Sequence, residues 1–423
     1  MKRALLIVAA IALAFVGWVL YANFGGESDV AGGASASASA ERGAYLVRLG
    51  NCMACHTDRG GAAWAGGRAI DTPFGIVYTS NLTPDPEQGL GRWSAADFWR
   101  SLHHGRSRDG RLLYPAFPYP NYTEVTREDS DAMFAYLRTV PAVPRANTPH
   151  QLRWPYSTQA ALAVWRALYF RDGEYQPEPR QSAEWNRGAY LVRGLGHCSA
   201  CHTARNALGA SSDMMDLSGG LIPMQNWYAP SLASNAEAGV GHWSLDDTVR
   251  LLRTGTTGIA TVLGPMAEVV QSSTQHLSAQ DALAMATFLQ TVPASQPATP
   301  DAPAAAVQVS ARIAERGARI YRQQCAQCHG ERGEGVPGAY PPLVGNRAVT
   351  LPLTANLVQV VLGGGFAPAT EGNPRPYGMP PFVMLLDDAD VAAVLTHIRT
   401  SWGNQAAAVT EFDVARQRGG SFR

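Results

Sequence analysis

Lysine is almost absent: Lys2 is the only one in 423 residues, so every other basic side chain is arginine. A surplus of one charge is lacking too. The 34 acidic residues balance 34 basic ones, and the formal net charge is zero. Without a basic surplus there is no electrostatic footprint for a polyanion, so nucleic acid is not an expected partner. No phosphate-cradling glycine loop is present; Gly-Gly-Gly at 363–365 reads as a flexible connection. No Ser/His/Asp arrangement suggests nucleophilic catalysis, and no second membrane-length apolar run follows the N-terminal one. Cysteine is missing everywhere except at six positions.

Those six fall into three pentapeptides: Cys52, Cys55 and His56; Cys198, Cys201 and His202; Cys325, Cys328 and His329. Cys-x-x-Cys-His is the attachment signature of c-type haem. Two thiols at this spacing reach the two vinyl groups of one porphyrin, and the following imidazole lies under the iron. A structural zinc site needs four ligands, usually from paired motifs, and no further cysteine exists to pair these. A redox dithiol would leave the triplicated His unexplained. The cofactor implied is three covalently bound haems c.

The N-terminus has a basic start, Lys2 and Arg3, followed by an uncharged, almost wholly apolar run from Ala4 to Leu20, which residues 21–24 extend. That length is long for a signal-peptide core and near the lower limit for a membrane span. Trp18 and Tyr21 suit an interfacial belt, and the basic end is expected to stay inside. An uncleaved anchor is the reading adopted. A cleaved signal peptide, with its site in the Ala/Ser stretch 34–40, is the alternative. Either way the bulk of the chain is exported; with the anchor retained, the protein is expected in the bacterial inner membrane, facing the periplasm.

Internal repetition sets the domain plan. "RGAYLVR" at Arg42–Arg48 recurs at Arg187–Arg193, and "RGARIYR" at Arg316–Arg322 is a looser third copy. "GLGRWSAAD" at Gly89–Asp97 matches "GVGHWSLDD" at Gly239–Asp247, where Ser94 and Ser244 read as helix N-caps. Each unit closes on an amphipathic stretch, at Asp129–Ala142, Ala279–Ala294 and Asp388–Trp402. The expected fold is mainly α: three tandem class I cytochrome c domains behind an N-terminal membrane helix. The expected boundaries are 1–26 anchor or signal, 27–41 Ala/Ser/Gly linker, 42–143 first domain, 144–184 connecting segment, 185–294 second domain, 295–310 Ala/Pro linker, 311–405 third domain and 406–423 tail. Within the connecting segment, "TQAALAVWRALYF" reads as a short packed helix.

A second axial ligand is sought in the loop before each last stretch, where a Met raises the reduction potential. Met379 in "YGMPPF" lies eleven residues before Asp390, and Met266 in "LGPMAEVV" fifteen before Asp281. An adjacent proline stiffens each loop, and Met384 is the runner-up to Met379. The first unit breaks the pattern: fourteen residues before Asp131 stands Phe117, which cannot ligate iron. Met133 belongs to the last helix and reads as core. His103 and His104 offer imidazoles but read as a polar helix end, so an open, five-coordinate first site is favoured.

The stretches "RGAYLVRLGNCMACHT", "GGRAIDTPFGIVYTSNLTPDPEQGLGRWSAADF", "GLIPMQNWYAPSL", "GPMAEVVQSSTQHLS" and "YGMPPF" together resemble the three-haem cytochrome c subunits of bacterial membrane-bound dehydrogenases of the gluconate, sorbitol, fructose and alcohol type. The resemblance covers nearly the whole chain after the apolar run. It implies His/Met coordination with Met266 and Met379 as distal ligands. It also implies electrons arriving from a separate catalytic subunit and leaving towards quinone or a terminal oxidase. Members usually carry Met in the first distal loop; here those positions hold Phe117 and, in a later variant, Val125. Cytochromes with similar loops accompany molybdenum hydroxylases, so the catalytic partner is a flavoprotein, a quinoprotein or a molybdenum enzyme. An electron-transfer subunit without a substrate site of its own is the leading expectation. A haem enzyme using an open first site for peroxide or small ligands is the alternative, and a haem sensor is weaker because no signalling domain follows.

Three complete attachment motifs predict three covalent haems. Acid–acetone extraction should leave all the haem on the protein, and the pyridine haemochrome should count three per chain. A fully matured protein with two or fewer would break the triplication argument.

Overall fold

The computed structural model describes residues 1–25, 39–211, 216–293 and 309–421. Most of the two expected linkers, with most of the Ala/Ser stretch at 34–40, and the last two residues of the tail lie outside the described residues.

Three helix pairs carry the architecture. A leading helix precedes each attachment motif: Ala40–Leu49, Ala183–Tyr190 and Ala311–Gln324. A closing helix ends each repeat: Arg127–Leu137, Ala279–Gln290 and Asp388–Thr400. Serine starts every leading helix, with the Ser39, Ser182 and Ser310 side chains accepting from a backbone N–H one turn on. Thr126, Ser278 and Asp387 do the same for the closing helices. The N–H that each of these receives belongs to an aspartate: Asp129, Asp281 or Asp390.

Those aspartates join the two helices of a pair. Arg42 meets Asp129 at 2.6 Å, Arg187 meets Asp281 at 2.8 Å and Arg316 meets Asp390 at 2.7 Å. The residue after each arginine is glycine, and there the helices touch backbone to backbone. A Cβ added at Gly43, Gly188 or Gly317 would stand 1.9, 1.9 or 2.2 Å from the carbonyl oxygen of Ala132, Ala284 or Ala393. The repeated "RG" is therefore a clamp beside a crossing point. It also corrects the register of the first repeat. Asp129, not Asp131, corresponds to Asp281 and Asp390, since Asp131 pairs within its own helix with Arg127 at 2.8 Å. Phe117 thus lies twelve residues ahead of the anchoring aspartate.

By compactness the chain forms two units. Met1–Pro177 with Val192–Ala200 and Arg205–Met214 make one; Glu178–Leu191, Cys201–Ala204 and Met215–Arg423 make the other. In the first, strands Ala69–Thr72, Gly75–Tyr78 and Gln151–Leu152 form an antiparallel sheet in that order, so the connecting segment returns to the first repeat. The expected helix in that segment is present at Gln159–Tyr169 and packs on the N-terminal helix, Lys2–Phe24. Asn23 makes the join: its amide donates to the Ala163 carbonyl at 2.9 Å and accepts from Arg166 at 2.9 Å, while Arg106 bonds its main-chain carbonyl. The N-terminal helix has 23 residues, and its most apolar 18-residue stretch has a mean hydropathy of 2.6, long and apolar enough to cross a membrane.

In the second unit, the second and third repeats are locked together. Asn356 accepts from the Tyr228 N–H at 2.8 Å and donates to its carbonyl at 2.7 Å. Arg347 bonds the carbonyls of Asn235 and Glu237 and covers the Trp243 ring. The segment read as a tail carries a helix, Glu411–Ser421, that seals the third core through fully buried Val414 and an Arg418–Asp388 pair at 2.6 Å.

Gly317→Ala should force the third helix pair apart and cost about 1–3 kcal/mol, as overpacking does. Gly363→Ala, with nothing within 4 Å of the added carbon, should cost nothing. Urea unfolding of both variants checks this; equal midpoints would mean the crossing tolerates a methyl group.

Candidate haem-binding sites

Each attachment motif coils into one helical turn after its leading helix: Cys52–Cys55, Ser199–His202 and Ala326–His329. Helical spacing of three puts both thiols of a motif on one side. None of the six cysteines forms a disulfide. Burial, with Cys55 close by, pushes the Cys52 thiol up to about 12, and burial beside Cys328 pushes Cys325 to about 11. For these two thiols burial disfavours the thiolate that a redox nucleophile requires. Thioether formation leaves no charge, so these surroundings suit it.

The three histidines share one geometry. The Nδ1 of His56 bonds the Ser80 carbonyl at 2.7 Å, that of His202 the Pro230 carbonyl at 2.7 Å, and that of His329 the Pro341 carbonyl at 3.0 Å. A carbonyl only accepts, so Nδ1 carries the proton and Nε2 keeps its lone pair for a metal. Burial lowers the pKa of all three rings against the opposing pull of that bond. Neutral imidazoles of fixed tautomer, set beside cysteine pairs that form no disulfide, fit a covalent haem. The sequence reading missed these carbonyl partners, although a signal existed. Ser80, Pro230 and Pro341 each stand two residues before a leucine: Leu82, Leu232 and Leu343.

Met379 lies on a short strand, Gly378–Met379, paired with Gly365–Phe366, and packs against the same core as Cys325. Met384 is 94% exposed, which sets it apart from that core. Met266 was expected in a loop but is the second residue of the helix Pro265–Ser272, because Pro265 suits a first helical turn. Gly264 just ahead has φ 51° and lies against the Trp227 ring. Trp227 opens the strand that runs into Pro230, the partner of His202, so one strand connects the histidine to the methionine segment.

The first repeat offers aromatic rings where a thioether is expected. Half-buried Phe117 packs on Tyr122 at 5.4 Å between centroids, with Tyr119, Tyr122 and Val125 buried around it. The Tyr122 hydroxyl donates to the Gly50 carbonyl at 3.0 Å beside the first attachment turn, and its ring lies 5.4 Å from that of His197. Met133 is 1% exposed within the closing helix, as expected of a core residue. His103 and His104 end the helix Ala95–His103, where they gather with Trp99 and Asp172.

The cytochrome c sequence family matches residues 40–141 and 314–402, the first and third repeats. The alcohol dehydrogenase (quinone) cytochrome c subunit of Gluconacetobacter polyoxogenes is 39% identical over 396 residues, covering 90% of this chain and 84% of that protein. The gluconate 2-dehydrogenase cytochrome c subunit of Pantoea cypripedii is 38% identical over 392 residues, 89% of each chain. A nicotinate dehydrogenase subunit of Pseudomonas putida is 41% identical over 375 residues, 86% of this chain but 31% of that longer protein.

Met266→Leu and Met379→Leu should each remove one part of the methionine–iron charge-transfer absorbance while the fold survives, since Leu fills similar space without a donor. Met384→Leu should leave the spectrum unchanged. An unaltered spectrum in either of the first two variants would return that methionine to a packing role.

Proposed function

The chain belongs to the cytochrome c family, alongside the cytochrome c subunits of bacterial dehydrogenases, and on that premise we propose that it is a three-haem electron-transfer subunit. It takes electrons from a separate catalytic dehydrogenase subunit and passes them to quinone or a terminal oxidase. The observation that carries this reading is the threefold recurrence of one arrangement: two cysteines outside any disulfide, then a histidine whose Nδ1 is tied to a main-chain carbonyl. Haem c supplies reversible one-electron exchange at iron when attached. The chain's own residues ligate, bury and space the three centres. His56, His202 and His329 are the proximal ligands, with Met266 and Met379 the distal ligands of the second and third.

The apolar helix Lys2–Phe24 anchors the protein in the inner membrane with its bulk in the periplasm. The catalytic partner is a flavoprotein, a quinoprotein or a molybdenum enzyme. The relatives' names span alcohol, gluconate and nicotinate dehydrogenases, which supports a cytochrome whose plan serves several kinds of catalytic partner.

The first centre favours a second reading. Phe117 and Val125 put apolar side chains where Met is expected, so an iron held by His56 would receive no thioether from this loop. That lowers its potential relative to the other two. It also leaves a coordination position for peroxide or a small ligand. One experiment separates transfer from catalysis. EPR of the oxidised protein should give one high-spin signal that Phe117→Met converts to low-spin. Alcohols, aldehydes and sugars should not reduce the protein until a dehydrogenase partner is added. Substrate reduction by the chain alone would overturn the transfer reading, and three His/Met signals in the unmodified protein would refute the open site.

A further inference from the structure

Away from the attachment turns, one cluster has the chemistry of a ligand site and no role in the function above. The helix Ala95–His103 ends on two consecutive histidines. His103 is 8% exposed, and its Nδ1 is buried with no hydrogen-bond partner. Its ring stacks on Trp99 at 4.3 Å and 13°, which holds it in place. His104 stands edge-on to it at 4.7 Å and bonds Asp172 through Nδ1 at 2.8 Å. Asp172 comes from the connecting segment, far along the chain. One donor atom from each of His103, His104 and Asp172 lies within 4.8 Å of the others.

We propose that His103, His104 and Asp172 form a divalent transition-metal site, of the kind that takes Zn2+. An unpaired buried nitrogen is costly and calls for an ion or water to satisfy it. Two imidazoles and one carboxylate suit zinc, with a fourth position left for water. Tetrahedral zinc with bonds of about 2.0–2.1 Å holds its donors roughly 3.4 Å apart, so small side-chain movements close this set. Burial and the adjacent His104 hold His103 down at about 4, which keeps its ring neutral at pH 7 and free to ligate.

The site would fasten a strap. Residues 173–175 already lace along 123–127: Gly173 donates to the Thr123 hydroxyl oxygen at 2.9 Å, Tyr175 to the Glu124 carbonyl at 3.1 Å, and the Arg127 N–H to Glu174 at 3.0 Å. A metal at Asp172 ties the start of that strap to the end of the helix that bears both histidines.

The test uses the full-length, haem-loaded protein in detergent, stripped with a chelator and titrated calorimetrically with Zn2+. One equivalent should bind and raise the thermal midpoint. Asp172→Asn and His104→Gln should each weaken binding at least tenfold and abolish the thermal shift, with unchanged haem absorbance reporting intact folding. Asp172 is half exposed, so its variant decides the matter if the histidine variant misfolds. No binding, or equal binding in all proteins, would overturn the site. A His103→Gln change that alters the haem spectrum would also overturn it, by making that ring an iron ligand instead.

Discussion

The crossing of a leading helix over a closing helix is the constraint on which the rest of the structure depends. It is made from an Arg–Asp clamp and a glycine with no room for a Cβ. The aspartate is at once the third residue of its helix, the clamp's acceptor and a favourable charge at a helix N-terminus. The carboxylates of Asp129 and Asp281 are largely buried while their arginine partners remain partly exposed. Such pairs fix position more than they add stability. The attachment turn follows the leading helix almost at once, so the crossing decides where each cysteine pair stands.

From that point the histidines take over. Each is the last residue of its motif, and each donates from Nδ1 to a carbonyl 12 to 28 residues further along the chain. This single bond sets both tautomer and ring direction. Three repeats obey it, including the first, whose distal side departs from the other two. The histidine–carbonyl bond is thus uniform, and the repeats differ in the segments where a methionine is sought.

The segments between repeats have structural work as well. The connecting segment adds a strand to the first repeat, supports the N-terminal helix through Asn23 and Arg166, and brings Asp172 to His104. In the second unit, Asn356 and Arg347 bind main-chain groups of the second repeat, which is why compactness groups the second and third repeats. Backbone partners of this kind leave no trace in side-chain patterning.

The sequence by itself determined the three Cys-x-x-Cys-His motifs with the helices that repeat around them, the helix caps at Ser94 and Ser244, and the helix hidden in the connecting segment. Each depends on contacts within a few residues, so spacing alone carries the signal. It misjudged what depends on distant partners. Counting from Asp131 slipped the first repeat by two residues, because only the clamp from Arg42 identifies Asp129 as the anchor. Met266 stands in a helix rather than the loop that its flanking proline suggests, and the final segment buries Val414 fully. Tertiary structure alone decided the carbonyl beneath each histidine, the lock on Asn23 and the meeting of Asp172 with His104. Those contacts join residues from 12 to 143 positions apart, and no local periodicity encodes such a pairing.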